Sequence, residues 1–152
     1  MTITDYTNAH KRQFEDLMID YIAELGDSTP ADVLREKLFP FIQRQLDSGI
    51  IRIALITDES GPVGFSVYQI DQERSDWCKR PGWGFIREFY IAPPYRKLGY
   101  GTLLAEDTER RLRQMEAVQL YLTSGPGAAF WQKCGWRLTG EICSNDLNIL
   151  EK

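Results

Sequence analysis

The residues best suited to hold a ligand in this sequence form one short stretch, Arg96-Lys97-Leu98-Gly99-Tyr100-Gly101-Thr102. Glycine reaches backbone conformations closed to other residues and puts no side chain between a peptide N–H and an approaching group. The unpaired N–H groups in the first turn of a helix, together with the positive end of its dipole, attract anions. With Arg96 and Lys97 alongside, such a turn suits a diphosphate. Two common nucleotide fingerprints are absent. Gly99-Tyr100-Gly101 lacks the third glycine of G-x-G-x-x-G, because Leu104 stands there, and no G-x-x-x-x-G-K-[ST] stretch occurs. A glycine pair after a strand is also an ordinary turn, so its surroundings must decide.

The surroundings read as strand, turn and helix. Trp83 to Ala92 is mostly apolar on both faces, as expected of a central strand. Pro93-Pro94 ends it. Leu104, Thr108, Leu112 and Met115 mark the buried side of the following helix. Glu106–Arg110, Asp107–Arg111 and Glu109–Arg113 are acid-then-base pairs suited to its exposed side. Val118 to Thr123 is the next strand, and a helical crossover requires these two strands to be parallel. Upstream, Ile50–Thr57 and Val63–Ile70 form a hairpin about the Asp58–Pro62 turn, and Asp71–Gly82 is a polar loop.

At the N-terminus, Thr2–Tyr6 reads as an edge strand. Phe14, Leu17, Met18, Tyr21, Ile22 and Leu25 form one helical stripe that Gly26 stops. Thr29 is expected to cap a second helix with Pro30 in its first turn. That helix must kink or break at Pro40, which has no N–H. Gly125-Pro126 opens a short helix through Phe130 and Trp131 that Gly135 closes, and Trp136–Lys152 holds one or two last strands. The fold class is therefore α/β (α+β): a mixed, largely antiparallel sheet of six or seven strands with helices on both faces, expected as a single domain over residues 1–152.

Composition narrows the function. The chain has 152 residues, 18 Lys+Arg against 22 Asp+Glu, and a formal net charge of −4. That balance argues against a nucleic-acid partner, which wants a basic face. No apolar run is long enough to span a membrane and no signal core is visible, so a cytoplasmic location is expected. Cys78, Cys134 and Cys143 are the three cysteines and His10 the one histidine. Their spacing suits neither a disulfide framework nor a metal site, so reduced thiols and no metal are expected. His10 is expected to cap or decorate the first helix.

Arg96-x-x-Gly99-x-Gly101 resembles the [RQ]-x-x-G-x-[GA] motif of the GNAT N-acetyltransferase superfamily. Phe89-Tyr90-Ile91-Ala92-Pro93 resembles that family's cofactor strand. Val118–Thr123, followed by Ala128–Trp136 with its aromatic-Gly-aromatic ending, resembles its fifth strand and fourth helix. The likeness covers roughly residues 84 to 137; upstream only the element order agrees. It implies an acyl-CoA N-acyltransferase fold whose fourth and fifth strands splay, with pantetheine lying in the cleft like an added strand. The main chain at Phe89, Tyr90 and Ile91 would line it. The diphosphate would rest on the amides of Leu98, Gly99, Tyr100, Gly101 and Thr102 beside Arg96 and Lys97. Ser124, Phe130 and Trp131 would flank the pantetheine arm and thiol end.

The activity implied is direct transfer of acetyl from acetyl-CoA, a co-substrate, to a primary amine of a small molecule or peptide by a monomer or homodimer. The alternative is a non-catalytic acyl-CoA sensor. A charged amine must lose a proton before it attacks. Glu88, on the cofactor strand, is the candidate base, unless it pairs with Arg87 or Arg52 at the sheet surface; a bulge in the strand would decide its face. Many family members carry a tyrosine proton donor where this chain has Trp131, and often an asparagine where it has Ser124. Tyr121 and Tyr90 are candidate replacements, with core packing as the alternative. Tyr21, Glu24, Trp77 and Trp83 fall in regions that form the family's acceptor side.

Overall fold

The computed structural model describes residues 1–152. Its strands are β1 (Thr2–Asp5), β2 (Arg52–Asp58), β3 (Gly61–Ile70), β4 (Gly84–Ile91), β5 (Leu120–Ser124), β6 (Arg137–Ile142) and β7 (Asn148–Glu151). They form one seven-stranded sheet in the order β1-β2-β3-β4-β5-β7-β6. β4 and β5 are parallel; β1–β2, β2–β3, β3–β4, β5–β7 and β6–β7 are antiparallel. The helices are α1 (Lys11–Glu24), α2 (Ala31–Val33), α3 (Phe39–Asp47), α4 (Tyr100–Gln114) and α5 (Ala128–Lys133).

Side-chain alternation sends each strand's apolar residues to two separate cores. On one face Phe65, Val67 and Tyr90 pack with Phe14, Leu17 and Met18 of α1 and with Phe39 of α3. On the other, Ala54, Ile56, Tyr68, Ile86 and Ile91 meet Leu104, Ala105 and Leu112 of α4 and Trp131 of α5. A smaller cluster of Phe85, Tyr121, Cys143 and Ile149 lies beneath Trp77 and Trp83 of the loop between β3 and β4. The helix between the parallel strands is thus the crossover that the sequence order requires.

Four local expectations change. Thr29 does not cap: its N–H and hydroxyl both bond Asp27 Oδ1, at 2.9 and 2.6 Å, and Pro30 precedes α2 rather than lying in its first turn. Pro40 does not break the helix. A π turn over Leu34–Leu38 widens it and α3 resumes with Pro40 in its first turn, where a missing N–H is least costly. Arg110 turns from Glu106 to Asp107, which also holds Arg111 at 2.5 Å. Glu88 pairs with neither Arg87 nor Arg52; Arg87 reaches Asp76 at 2.5 Å and Gln69 at 3.3 Å. His10 does serve the start of α1, its Nδ1 accepting the Thr7 N–H at 3.0 Å.

Candidate active site

The parallel pairing of β4 and β5 covers Gly84–Leu120, Phe85–Tyr121 and Ile86–Leu122 and stops there. Just beyond, the β3–β4 register shifts between Val67 and Tyr68, whose partners are Glu88 and Ile86. Arg87 is the extra residue of this bulge, and a bulge bends its strand. From here β4 runs on with β3 alone. Ala92 N–H donates to Val63 O at 2.9 Å, so alternation turns the main-chain groups of Phe89 and Ile91 to the other edge, the one that β5 no longer pairs.

The bulge also settles which way Glu88 points. Glu88 shares a face with Tyr90 and Tyr21, and the Tyr21 hydroxyl donates to Glu88 Oε2. Half-burial raises the Glu88 carboxyl above the ordinary glutamate range; the Tyr21 hydrogen bond and the Arg87 charge oppose that rise, and Asp76 adds to it. A carboxylate poised closer to neutrality is a better proton acceptor than an exposed one.

After β4, a short turn at Pro93–Tyr95 leads to the exposed residues Arg96–Gly99 and then α4. Two of these residues sit in the left-handed region, Lys97 at φ 62° and Gly99 at φ 92°. Gly99 is the residue before α4, and no side chain caps the helix there. The amides at the start of α4 are therefore left to an external partner. Gly101 has a different reason to be glycine: a Cβ there would stand 3.2 Å from the Phe130 ring. Phe130 in turn packs 5.9 Å from Phe89, so an aromatic side chain of α5 lies against the start of α4.

Arg96 lies elsewhere than the motif led us to expect. Its guanidinium forks onto both oxygens of Glu24 at 2.7 Å each, its Nε donates to Ile91 O at 2.8 Å, and it lies 5.5 Å from the Tyr90 ring centre. The charge ties α1 to the end of β4. Lys97 makes no ion pair and is the free cation of the turn.

Trp131 is buried, edge-on to Phe89 at 4.8 Å and to Trp136 at 5.6 Å. Ser124, half-buried at the end of β5, lies where a Cβ on Gly127 would be 3.1 Å from its Oγ. Tyr121 has no exposed surface; its ring stacks on Phe85 at 4.5 Å and its hydroxyl donates to Asp71 Oδ2. The same Asp71 oxygen accepts the Lys79 and Arg80 N–H groups at 2.9 Å each. Trp77 and Trp83 pack around this ring as well. In this geometry Tyr121 anchors the loop, and its proton is committed to Asp71.

Sequence reading missed the Tyr21–Glu88 and Arg96–Glu24 contacts and the role of Asp71. The first two join residues 67 and 72 positions apart, and no local pattern encodes such a meeting.

The model of the acetyltransferase (GNAT) family matches residues 11–136. The chain is similar in structure to the PaiA N-acetyltransferase from Thermoplasma acidophilum in complex with coenzyme A (17% identity, TM-score 0.72, covering 100% of this chain and 99% of that one). It is similar to the histone acetyltransferase HPA2 and related acetyltransferase from Corynebacterium glutamicum (16% identity, TM-score 0.75, 99% and 94%). It is also similar to the aminoglycoside N-acetyltransferase AAC(6')-Iy in complex with CoA (13% identity, TM-score 0.69, 93% and 96%). At such identities the likeness is one of fold. No curated protein matches the sequence.

Proposed function

Because the chain belongs to the acetyltransferase (GNAT) family, we propose that it transfers acetyl from acetyl-CoA directly to a primary amine of a small molecule or peptide. The observation that carries this reading is that β4 and β5 stop pairing beyond Ile86 and Leu122, with an uncapped helix start after β4. Pantetheine fits there as a strand, against the edge of Phe89 and Ile91, where Arg96 Nε already shares the Ile91 carbonyl. The diphosphate fits on the amides of Leu98 to Thr102, with Lys97 supplying charge.

Glu88 is the base in this reading. A lysine-like amine arrives protonated, with a pKa of ~10.4. Glu88 takes that proton, the N lone pair attacks the thioester carbon, the C–N bond forms and the C–S bond breaks. The attacking nitrogen gives up its second proton to water as the amide forms, and the departing thiolate, of pKa ~8.5 by analogy with cysteine, takes a proton back from water, so no tyrosine is required at Trp131. Much of the acceleration comes from holding the two reactants together.

The decisive experiment measures CoA binding by thermal shift, and thiol release from acetyl-CoA with a panel of amines. CoA at 100 times its dissociation constant should stabilise the protein by ~2.7 kcal/mol. Gly101→Glu drives a carboxylate into Phe130 and the cradle and should abolish that shift. Undiminished CoA binding by this variant would remove the cradle from the reading. CoA binding with no thiol release for any amine would favour an acyl-CoA sensor instead.

A further inference from the structure

Tyr21 occupies a helical position that packing alone would explain. Its ring meets Phe65 edge-on and Tyr90 at a tilt, both at 5.6 Å, and phenylalanine would fill that space equally. The hydroxyl is the part that packing does not require, and it goes to Glu88 Oε2.

No other hydrogen bond from the protein reaches the Glu88 carboxylate. The nearby guanidinium of Arg87 is engaged by Asp76 and Gln69, so it acts on Glu88 only through its field. The charged and titratable groups around Glu88 are therefore Tyr21 from α1, Arg87 from β4 and Asp76 from the loop between β3 and β4. Oε1 carries no protein partner and is not among the sealed, unsatisfied atoms of the fold, so it is open to an incoming ligand.

We propose that Tyr21 is a positioning residue for acetyl transfer: its hydroxyl fixes Oε2 of Glu88 and leaves Oε1 as the atom that accepts the proton of the acceptor amine. The proposal rests on the reading of Glu88 as the base. The ammonium N–H bond breaks, an O–H bond forms on Oε1, and the amine keeps the electron pair with which it attacks the thioester. Tyr21 keeps its own proton throughout, because burial and the adjacent carboxylate push its pKa well above the usual tyrosine value. A donor to the charged form lowers a carboxyl pKa, so the same hydrogen bond keeps Glu88 ionised at lower pH than burial alone would allow.

The test compares wild type, Tyr21→Phe and Glu88→Gln in two measurements: carbon-13 NMR titration of the Glu88 carboxyl, assigned by its loss in Glu88→Gln, and the pH profile of kcat with the best amine of the panel. In Tyr21→Phe the Glu88 pKa should rise and the acid limb of kcat should move up with it, a roughly tenfold loss of rate on the acid side that recovers toward wild type at high pH. An unchanged Glu88 pKa in Tyr21→Phe, or a uniform loss of rate at every pH, overturns the proposal. A wild-type acid limb that persists in Glu88→Gln overturns the reading of Glu88 as base instead, whatever the titration of Tyr21→Phe gives.

Discussion

At the scale of single residues, Glu88 makes a testable link between site and stability. Its carboxyl pKa is raised in the folded protein, chiefly by burial. The native state then binds more protons than the unfolded chain between the ordinary glutamate value and the raised one, so this group's contribution to stability falls as pH rises through that window. Glu88→Gln removes the term and keeps an acceptor for Tyr21. We expect the variant to gain stability relative to wild type as pH increases from acid toward neutral, read as the difference between urea midpoints at each pH. A difference that does not change with pH would contradict a raised Glu88. Lys97 makes a second point at this scale. A non-glycine residue with φ 62° carries strain of ~1–2 kcal/mol, and here the strained residue lies beside the proposed anion cradle.

At the scale of elements, the loop from Asp71 to Trp83 is held by side chains to an unusual degree. Asp71 is 1% exposed and gathers Gln69, the Lys79 and Arg80 amides, and the Tyr121 hydroxyl. Gln45 of α3 reaches Asp76 of the same loop at 3.0 Å. The loop is thereby fastened to β3, β5 and α3 and forms a fixed wall near Glu88. Tyr121→Phe keeps the stack on Phe85 but removes one donor from buried Asp71, a loss of roughly 1–3 kcal/mol. We expect a lower denaturation midpoint with kcat preserved. A large fall in kcat with stability intact would return Tyr121 to the catalytic candidates.

At the scale of the molecule, Arg96 joins the two proposed reactant sides. It bridges α1, on the proposed acceptor face, to the end of β4, where the proposed cofactor cradle begins. The Glu24 and Arg96 side chains are 45% and 40% exposed, so as a stabilising pair they are worth about 1 kcal/mol at most. Their larger effect is on charge near the cradle. Glu24→Gln removes an anion and frees the guanidinium, so CoA should bind several-fold more tightly at low ionic strength, with the gain fading as salt screens it. Isothermal titration at two salt concentrations reads this directly; unchanged or weaker binding at low salt would show that Arg96 acts as a strut alone.

The sequence by itself determined the element order, the crossover helix, the parallel strand pair and the glycine turn, because periodicity, turn chemistry and the handedness of βαβ units are local or topological constraints. Its limits fell where side chains from distant segments choose partners. Arg96 reads as a free cation in the motif and becomes a tie to Glu24; Tyr121 reads as a possible acid and becomes the anchor of Asp71; Tyr21 reads as core and becomes the partner of Glu88. The bulge at Arg87 is the physical hinge of the difference. One extra residue in β4 accompanies both the choice of face for Glu88 and the parting of β4 from β5, and its position depends on how β3 and β4 register against each other, which only the folded sheet decides.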